Sequence, residues 1–164
     1  MKKNIFTVVI LLLLHYAGAE KTFAQSSSTA AEMEADGCKH SLWKHVYDPS
    51  RLEIMDSCIS VTGILKESKA EDDGDQHLLL QLDAGQDELL TKKNYKKKND
   101  DLVLELVCAN HIKDKKAKKA CKGFKNNIQV PPVGTHVKVT GSYVIDSHNG
   151  WAEIHPVTKM EVVK

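Results

Sequence analysis

Alternating apolar and polar residues along the C-terminal two thirds of the chain predict β-strands. The first strand is predicted over Arg51 to Lys66, with Ile59, Val61 and Leu65 on one face and Ser60, Thr62 and Ile64 on the other. Gly63 lies inside this strand and indicates a bulge or a bend. Asp73-Gly74 is a strong hairpin signal, and it predicts a turn into a second strand over His77 to Asp83. Leu78, Leu80 and Leu82 form the predicted buried face of that strand.

The second half of the chain predicts three more strands and one short helix. A lysine-rich connection leads to a strand over Leu102 to Cys108, and helix-forming residues predict an exposed helix over Lys113 to Ala120. After a break at residues 131–134, strand four is predicted over His136 to Asp146. Asn149-Gly150 is the strongest hairpin signal and precedes strand five, Trp151 to Val163. Alternation in strand five places Trp151, Glu153, His155 and Val157 on one face and Ala152, Ile154 and Pro156 on the other.

This order of elements resembles the OB-fold, a small five-stranded Greek-key barrel. The predicted class is therefore all-β with one short helix, and an SH3-like or other small barrel is the alternative. The resemblance implies that the loop between strands one and two and the loop between strands four and five flank one binding face. Here these loops are residues 67–76 and 146–150.

The chain also resembles a set of small exported bacterial proteins without an assigned activity. The matching segments are Trp43-Lys44-His45-Val46, Asp73-Gly74-Asp75 with His77, Pro131-Pro132-Val133-Gly134, Gly141-Ser142-Tyr143-Val144 and Trp151-Ala152-Glu153-Ile154-His155-Pro156-Val157. This resemblance supports the domain assignment and implies no function.

The N-terminal residues predict export. Lys2 and Lys3 precede a short apolar run, and small residues then offer cleavage after Ala19 or Ala24. We therefore predict a signal peptide over residues 1–24, a flexible leader over 25–37, and one OB-like domain with an N-terminal extension over 38–164. We expect a periplasmic or extracellular protein with no membrane span after cleavage.

The charge balance argues against a partner held by overall electrostatic attraction. The chain has 23 Lys and Arg against 22 Asp and Glu, a net charge of +1. Loss of Lys2, Lys3, Lys21 and Glu20 with the signal peptide changes this to −1. A nearly neutral protein binds nucleic acid or an anionic membrane only through a local patch.

The four cysteines predict disulfides, as is usual in an oxidising compartment. Four cysteines allow three pairings, and we favour Cys38 with Cys58 and Cys108 with Cys121. The alternative is a zinc site, but the chain has no CxxC pair.

The candidate binding surface combines the two polar turns that the fold is expected to bring together. It consists of Asp73, Asp75, His77, Asp146, His148, Trp151, Glu153 and His155. Asp75, His77, His148 and His155 form the candidate metal set, since carboxylates and imidazoles bind Zn, Mn or Ca according to their ratio. The competing interpretation is that these residues form polar turns shaped by Asp-Gly geometry, with His155-Pro156 as an exposed kink at an edge strand.

Catalysis and nucleic-acid binding are both disfavoured. Asp73-Gly74-Asp75 is similar to the calcium motif of staphylococcal-type nucleases, but Gln76 replaces the threonine and Arg51 is the only arginine. Phosphodiester cleavage of that type needs arginines on the developing charge. Strands two and three have no aromatic residue on which bases could stack.

We therefore expect a binding module for a protein, a glycan or a small ligand, without a catalytic residue or an organic cofactor. A divalent-metal-binding protein or metal-dependent hydrolase that uses the two polar turns is the alternative.

Overall fold

A computed structural model describes residues 38–164, and the predicted signal peptide and leader lie outside the described residues. Five strands form a closed barrel: β1 (Leu52–Ala70), β2 (Gln76–Leu82), β3 (Leu102–Leu106), β4 (His136–Asp146) and β5 (Ala152–Val162). Their order around the barrel is β1-β2-β3-β5-β4. The pairs are antiparallel except β3 with β5, which is parallel. This arrangement confirms the predicted all-β, five-stranded OB-fold-like barrel.

The long first strand closes the barrel because it pairs with β4 along its first half and with β2 along its second. Gly63 is the crossing point, since it lies opposite both Leu82 and Val137. A Cβ atom on residue 63 would overlap the carbonyl oxygen of Gln81. The bend predicted from this glycine is therefore a close approach of two backbones.

The helical segments differ from the prediction. Between β3 and β4, only a short 3-10 helix (Ala117–Lys119) forms within the predicted helix of residues 113–120. The α-helix of the described chain, α1 (Lys92–Lys97), lies instead in the connection predicted as polar loop. Thr91 explains its position, because the hydroxyl oxygen accepts hydrogen bonds from the backbone N–H groups of Lys93 and Asn94. Local capping therefore decides where a helix forms in these lysine-rich segments. The remaining helical segments are 3-10 turns at His40–His45, Pro49–Arg51 and Asp87–Leu89.

Two hydrophobic clusters lie on opposite sides of the barrel wall. The first fills the interior with leucines and valines from all five strands, including Leu65, Leu80 and Val139. The second lies outside, where the N-terminal extension and residues 107–124 pack against β4. Disulfides Cys38–Cys58 and Cys108–Cys121 tie these outer segments down, which confirms the favoured pairing.

Strand β5 departs from the predicted alternation. Its pairing with β4 shifts register between Gly141 and Tyr143, and Val157 consequently belongs to the interior cluster with Ile154. The prediction that Val157 shares a face with Glu153 and His155 was therefore wrong. The competing interpretation of His155-Pro156 as an exposed kink at an edge strand is also contradicted, since His155 is 1% exposed and β5 pairs on both sides.

Candidate functional site

The outer face of β2, β3 and β5 carries a layer of buried polar side chains. His77 on β2 lies opposite Glu105 on β3, and Val103 of β3 lies opposite Glu153 of β5. Because every second residue shares a face, His155 follows Glu153 on this same side. His77, Glu105, Glu153 and His155 are each no more than 8% exposed at their side chains. An outer barrel face normally meets water, so a buried charged layer there needs a specific explanation.

His77 lies between a carboxyl group and a lysine. Its Nδ1 atom is 2.6 Å from Oε1 of Glu105, and its Nε2 atom is 3.1 Å from Nζ of Lys98. A lysine ammonium only donates hydrogen bonds, so Nε2 accepts and Nδ1 carries the proton that is donated to Glu105. Burial lowers the pKa of His77, and the charge of Lys98 lowers it further, so this imidazole is neutral. Burial raises the pKa of Glu105 well above its usual value.

Lys98 is held at this site by the end of helix α1. The Asn94 side chain donates to the Ala152 carbonyl and accepts from the Ala152 N–H, which docks the helix on the start of β5. Lys98 caps the same helix through a bond from its N–H to the Asn94 carbonyl. Its Nζ atom lies 3.9 Å from the ring centroid of Trp151, a cation–π contact.

A second chain of contacts joins Trp151, Glu153 and His155. Glu153 accepts one hydrogen bond from the Trp151 indole at 2.5 Å and one from Nδ1 of His155 at 3.1 Å. Burial alone would lower the pKa of His155, but the bond to Glu153 and the neighbouring carboxylate charges raise it above its ordinary value.

The turn between β1 and β2 contributes Asp75 and Asp73. Asp75 is buried and accepts a 2.7 Å hydrogen bond from the N–H of Cys108. Burial and then the charge of Asp73 raise the pKa of Asp75 to about 6. Asp73 itself caps the turn by accepting from the N–H of Asp75. Of these two predicted site residues, Asp75 is a buried carboxyl group and Asp73 is an ordinary turn residue.

The turn between β4 and β5 is organised by Asp146. Its carboxylate accepts from the backbone N–H groups of His148 and Asn149, from the Asn149 side chain and from Arg51. Burial opposes ionisation, but these hydrogen bonds and the Arg51 charge outweigh it and lower the pKa of Asp146. The His148 side chain is exposed at the tip of the turn.

The two turns border one polar cavity of about 250 Å³. Its lining consists of Arg51, Glu71, His77, Lys98, Glu105, Asp146, Asn149, Trp151 and Glu153. Of the eight predicted surface residues, His77, Asp146, Trp151 and Glu153 line it. Asp75 and His155 are buried outside this lining, and Asp73 and His148 are turn residues beyond it.

Three residues that line the cavity, Glu105, Lys98 and Glu71, were not among the predicted site residues. Glu105 had a usable signal, because it is the one charged residue in the run Leu102-Val103-Leu104-Glu105-Leu106-Val107. Lys98 had none, because it ends a run of lysines that have no distinguishing neighbours.

Two groups of side chains within the described residues have metal-ligand spacing. Asp75 lies near Cys108 and Cys121, but both sulfurs are consumed by a disulfide. Glu71, His77 and Glu105 offer ligand atoms that all lie within 4.8 Å of one another. Neither group includes His148 or His155 from the predicted metal set.

No family model and no curated protein sequence matches this chain. No helix in residues 38–164 is long and apolar enough to cross a membrane. Function is therefore inferred from the chemistry of the site alone.

Proposed function

We propose that this protein is an exported, disulfide-stabilised binding module of the OB type that takes a small polar ligand. The observation that carries the proposal is the polar cavity of about 250 Å³ between the two turns that flank the β2–β3 face. OB barrels that bind oligosaccharides or oligonucleotides use this face. The two disulfides support export, because such bonds persist in oxidising compartments.

The chemistry of the lining favours a hydroxyl-rich ligand such as a saccharide over a nucleic acid. Glu71, Glu153 and Asn149 provide acceptor and donor groups, and Trp151 provides a half-buried ring. Hydroxyl groups both donate and accept, so they match such a mixed lining. The lining has four carboxylates against the two cations of Arg51 and Lys98, which disfavours a phosphate backbone.

The two tryptophans permit a test with an internal control. In a ¹⁵N NMR spectrum of the disulfide-bonded protein, the indole of Trp151 reports on the cavity. The indole of Trp43 is bonded to Ser142 outside the cavity and serves as the control. Titration with a panel of neutral, acidic and amino monosaccharides and disaccharides should shift the Trp151 signal and leave the Trp43 signal in place. Trp151→Phe and Trp43→Phe assign the two signals.

A panel in which no saccharide moves the Trp151 signal at millimolar concentration would refute the saccharide assignment. Equal movement of both indole signals would refute the cavity as the binding site. Asn149→Ala is the matched site variant, and Asn127→Ala, at an exposed position, is its control. Only Asn149→Ala should weaken the response.

A second candidate function is supported by the spacing of Glu71, His77 and Glu105, which suits a divalent metal ion. This candidate function is the binding of the ion alone, and no hydrolytic step is assigned to it.

A further inference from the structure

The acidic corner of the cavity contains a histidine whose hydrogen bonds are arranged around a proton on Nδ1. Lys98 donates to Nε2, and this contact keeps the proton on Nδ1, where it is donated to Glu105. A metal ion binds only an imidazole nitrogen that has no proton. Lys98 thus holds His77 in the tautomer that prevents coordination at Nδ1.

Glu105 supplies an unused acceptor at the same place. Its Oε2 atom is buried and has no hydrogen-bond partner, although Glu105 lines the cavity. The residue is only 6% exposed, so solvent does not compensate for the missing contact. A buried carboxylate oxygen without a partner is costly, and a bound cation would offset that cost.

The three candidate ligands come from positions that the backbone fixes. His77 and Glu105 are directly paired across β2 and β3. Glu71 is tied into the turn, since its N–H donates to the Asp75 carbonyl and its carbonyl accepts from the N–H of Gly74. Two carboxylates and one imidazole form a donor set suited to Zn²⁺ or Mn²⁺.

We propose that Glu71, His77 and Glu105 bind a divalent metal ion, and that Lys98 is an intramolecular cation that must leave for the ion to enter. The ion takes the position between Nδ1 of His77 and the Glu105 carboxylate, which are now 2.6 Å apart. Two metal bonds of about 2.1 Å at a tetrahedral angle hold their ligand atoms about 3.4 Å apart, so these atoms must separate by about 0.8 Å. Glu71 closes the third side from within 4.8 Å.

The proton balance explains why Lys98 has to move. When the ion takes Nδ1, the imidazole proton moves to Nε2, so the ring stays neutral. Nε2 then donates, and it cannot accept from the Lys98 ammonium, so two donors would face each other. The ammonium also repels the incoming ion. Lys98 therefore swings into solvent with its charge intact.

This inference rests on and deepens the second candidate function, and it is independent of the first, since metal binding requires no saccharide. The probe is Zn²⁺ alone, titrated by calorimetry into the untagged, disulfide-bonded protein, with Mn²⁺ as a second ion. Lys98→Met should tighten Zn²⁺ binding about tenfold or more, as expected when a group that opposes coordination is removed. Lys97→Met, at the exposed end of the same helix, should change nothing.

The ligand variants test the assignment of the three side chains. In the Lys98→Met background, Glu71→Gln should weaken binding at least about tenfold. His148→Gln is the control for adventitious binding by an exposed histidine and should have no effect. Long-range ¹H–¹⁵N spectra should show the His77 proton on Nδ1 before Zn²⁺ is added and on Nε2 afterwards, which a purely structural role of His77 would not produce.

Three results would each overturn the proposal. The first is an absence of Zn²⁺ and Mn²⁺ binding to Lys98→Met at millimolar ion. The second is binding that Glu71→Gln leaves unchanged but His148→Gln abolishes. The third is binding without a change in the His77 tautomer. None of these results bears on the saccharide titration, so the two proposals fail independently.

Discussion

Asp146 is the residue whose ionisation we expect to matter most for the turn between β4 and β5. It is fully buried, and its carboxylate accepts hydrogen bonds from two backbone N–H groups, from the Asn149 side-chain amide and from Arg51. Its pKa is lower in the folded protein than in the unfolded chain. The charged form therefore stabilises the fold above about pH 4, and this contribution is lost as the pH falls through the folded-state pKa.

Asp146→Asn should accordingly lower the free energy of unfolding by about 2 kcal/mol at pH 7, because it removes charge-assisted hydrogen bonds. Urea denaturation at pH 7 and at pH 3 measures the effect, and the gap between variant and wild type should narrow at pH 3. Asp56→Asn is the control, since Asp56 is exposed and accepts one N–H, from Cys58. A gap that stays constant between the two pH values would contradict the assigned role.

Sequence patterns predicted the residue types at the site better than their roles. His77, Asp146, Trp151 and Glu153 were all selected, and all four line the cavity. Lys98 was not selected, because its role depends on a distant contact with His77, and no local pattern encodes such a contact. His148 was selected for its chemistry, but only its backbone N–H is used by the turn.

At the scale of elements, the segment between β3 and β4 packs on the turn between β1 and β2 that contains Asp75, where the Asn110 N–H donates to the Gly74 carbonyl. Its Cys108 N–H bonds to Asp75, and the Cys108–Cys121 disulfide closes it with a sequence separation of 13 residues. The other disulfide, Cys38–Cys58, attaches the N-terminal extension to β1. The two bonds therefore anchor the two segments that pack together against β4.

Replacing Cys108 and Cys121 together by serine should lower the free energy of unfolding by about 3 kcal/mol, as chain entropy predicts for a loop of this length. It should also speed amide exchange in the turn that contains Asp75. The paired change at Cys38 and Cys58 should destabilise the protein comparably and leave exchange in that turn unchanged. Equal exchange in the two double variants would show that residues 107–124 do not protect the turn that contains Asp75.

The strands themselves were predictable because alternation and turn signals agree along most of the chain. Strand β4 has the predicted bounds, and Gly63 and Gly150 mark the bend and the turn that they predicted. The phase of β5 beyond His155 was not predictable, since it depends on an irregular pairing with Gly141 on another strand. The helix was misplaced because Thr91 caps residues 92–97 with its side chain, whereas Lys116 gives residues 117–119 no side-chain cap.

For the whole molecule, the buried polar layer lowers the stability of the fold at the place where we propose a binding site. A barrel of this size needs one apolar interior, and the described chain has it. The charged groups on the outer face add a desolvation cost and contribute nothing to that apolar core. Residues that lower stability in this way are found more often at binding or catalytic sites than elsewhere in a protein.

Replacing Glu105 separates the cost of the buried polar layer to stability from its contribution to ligand binding. Glu105→Gln keeps an oxygen that can accept from His77 and removes a buried negative charge whose second oxygen has no partner. We expect the variant to be more stable by about 1 kcal/mol at pH 8, which raises the melting temperature by about 3 °C. It should also bind Zn²⁺ more weakly when combined with Lys98→Met, because an amide is a poorer ligand than a carboxylate.

Thermal unfolding at pH 8 measures the stability change, and Glu161→Gln provides the control. Glu161 is exposed and pairs only with Lys159 at the surface, so its replacement should leave the melting temperature within a degree. A fall in the melting temperature of Glu105→Gln would mean that the hydrogen bond from His77 to the Glu105 carboxylate outweighs the cost of burying that carboxylate. The polar layer would then be structural. A rise together with lost metal affinity would instead identify Glu105 as a residue that costs stability and contributes to binding, as expected for a functional group in a buried position.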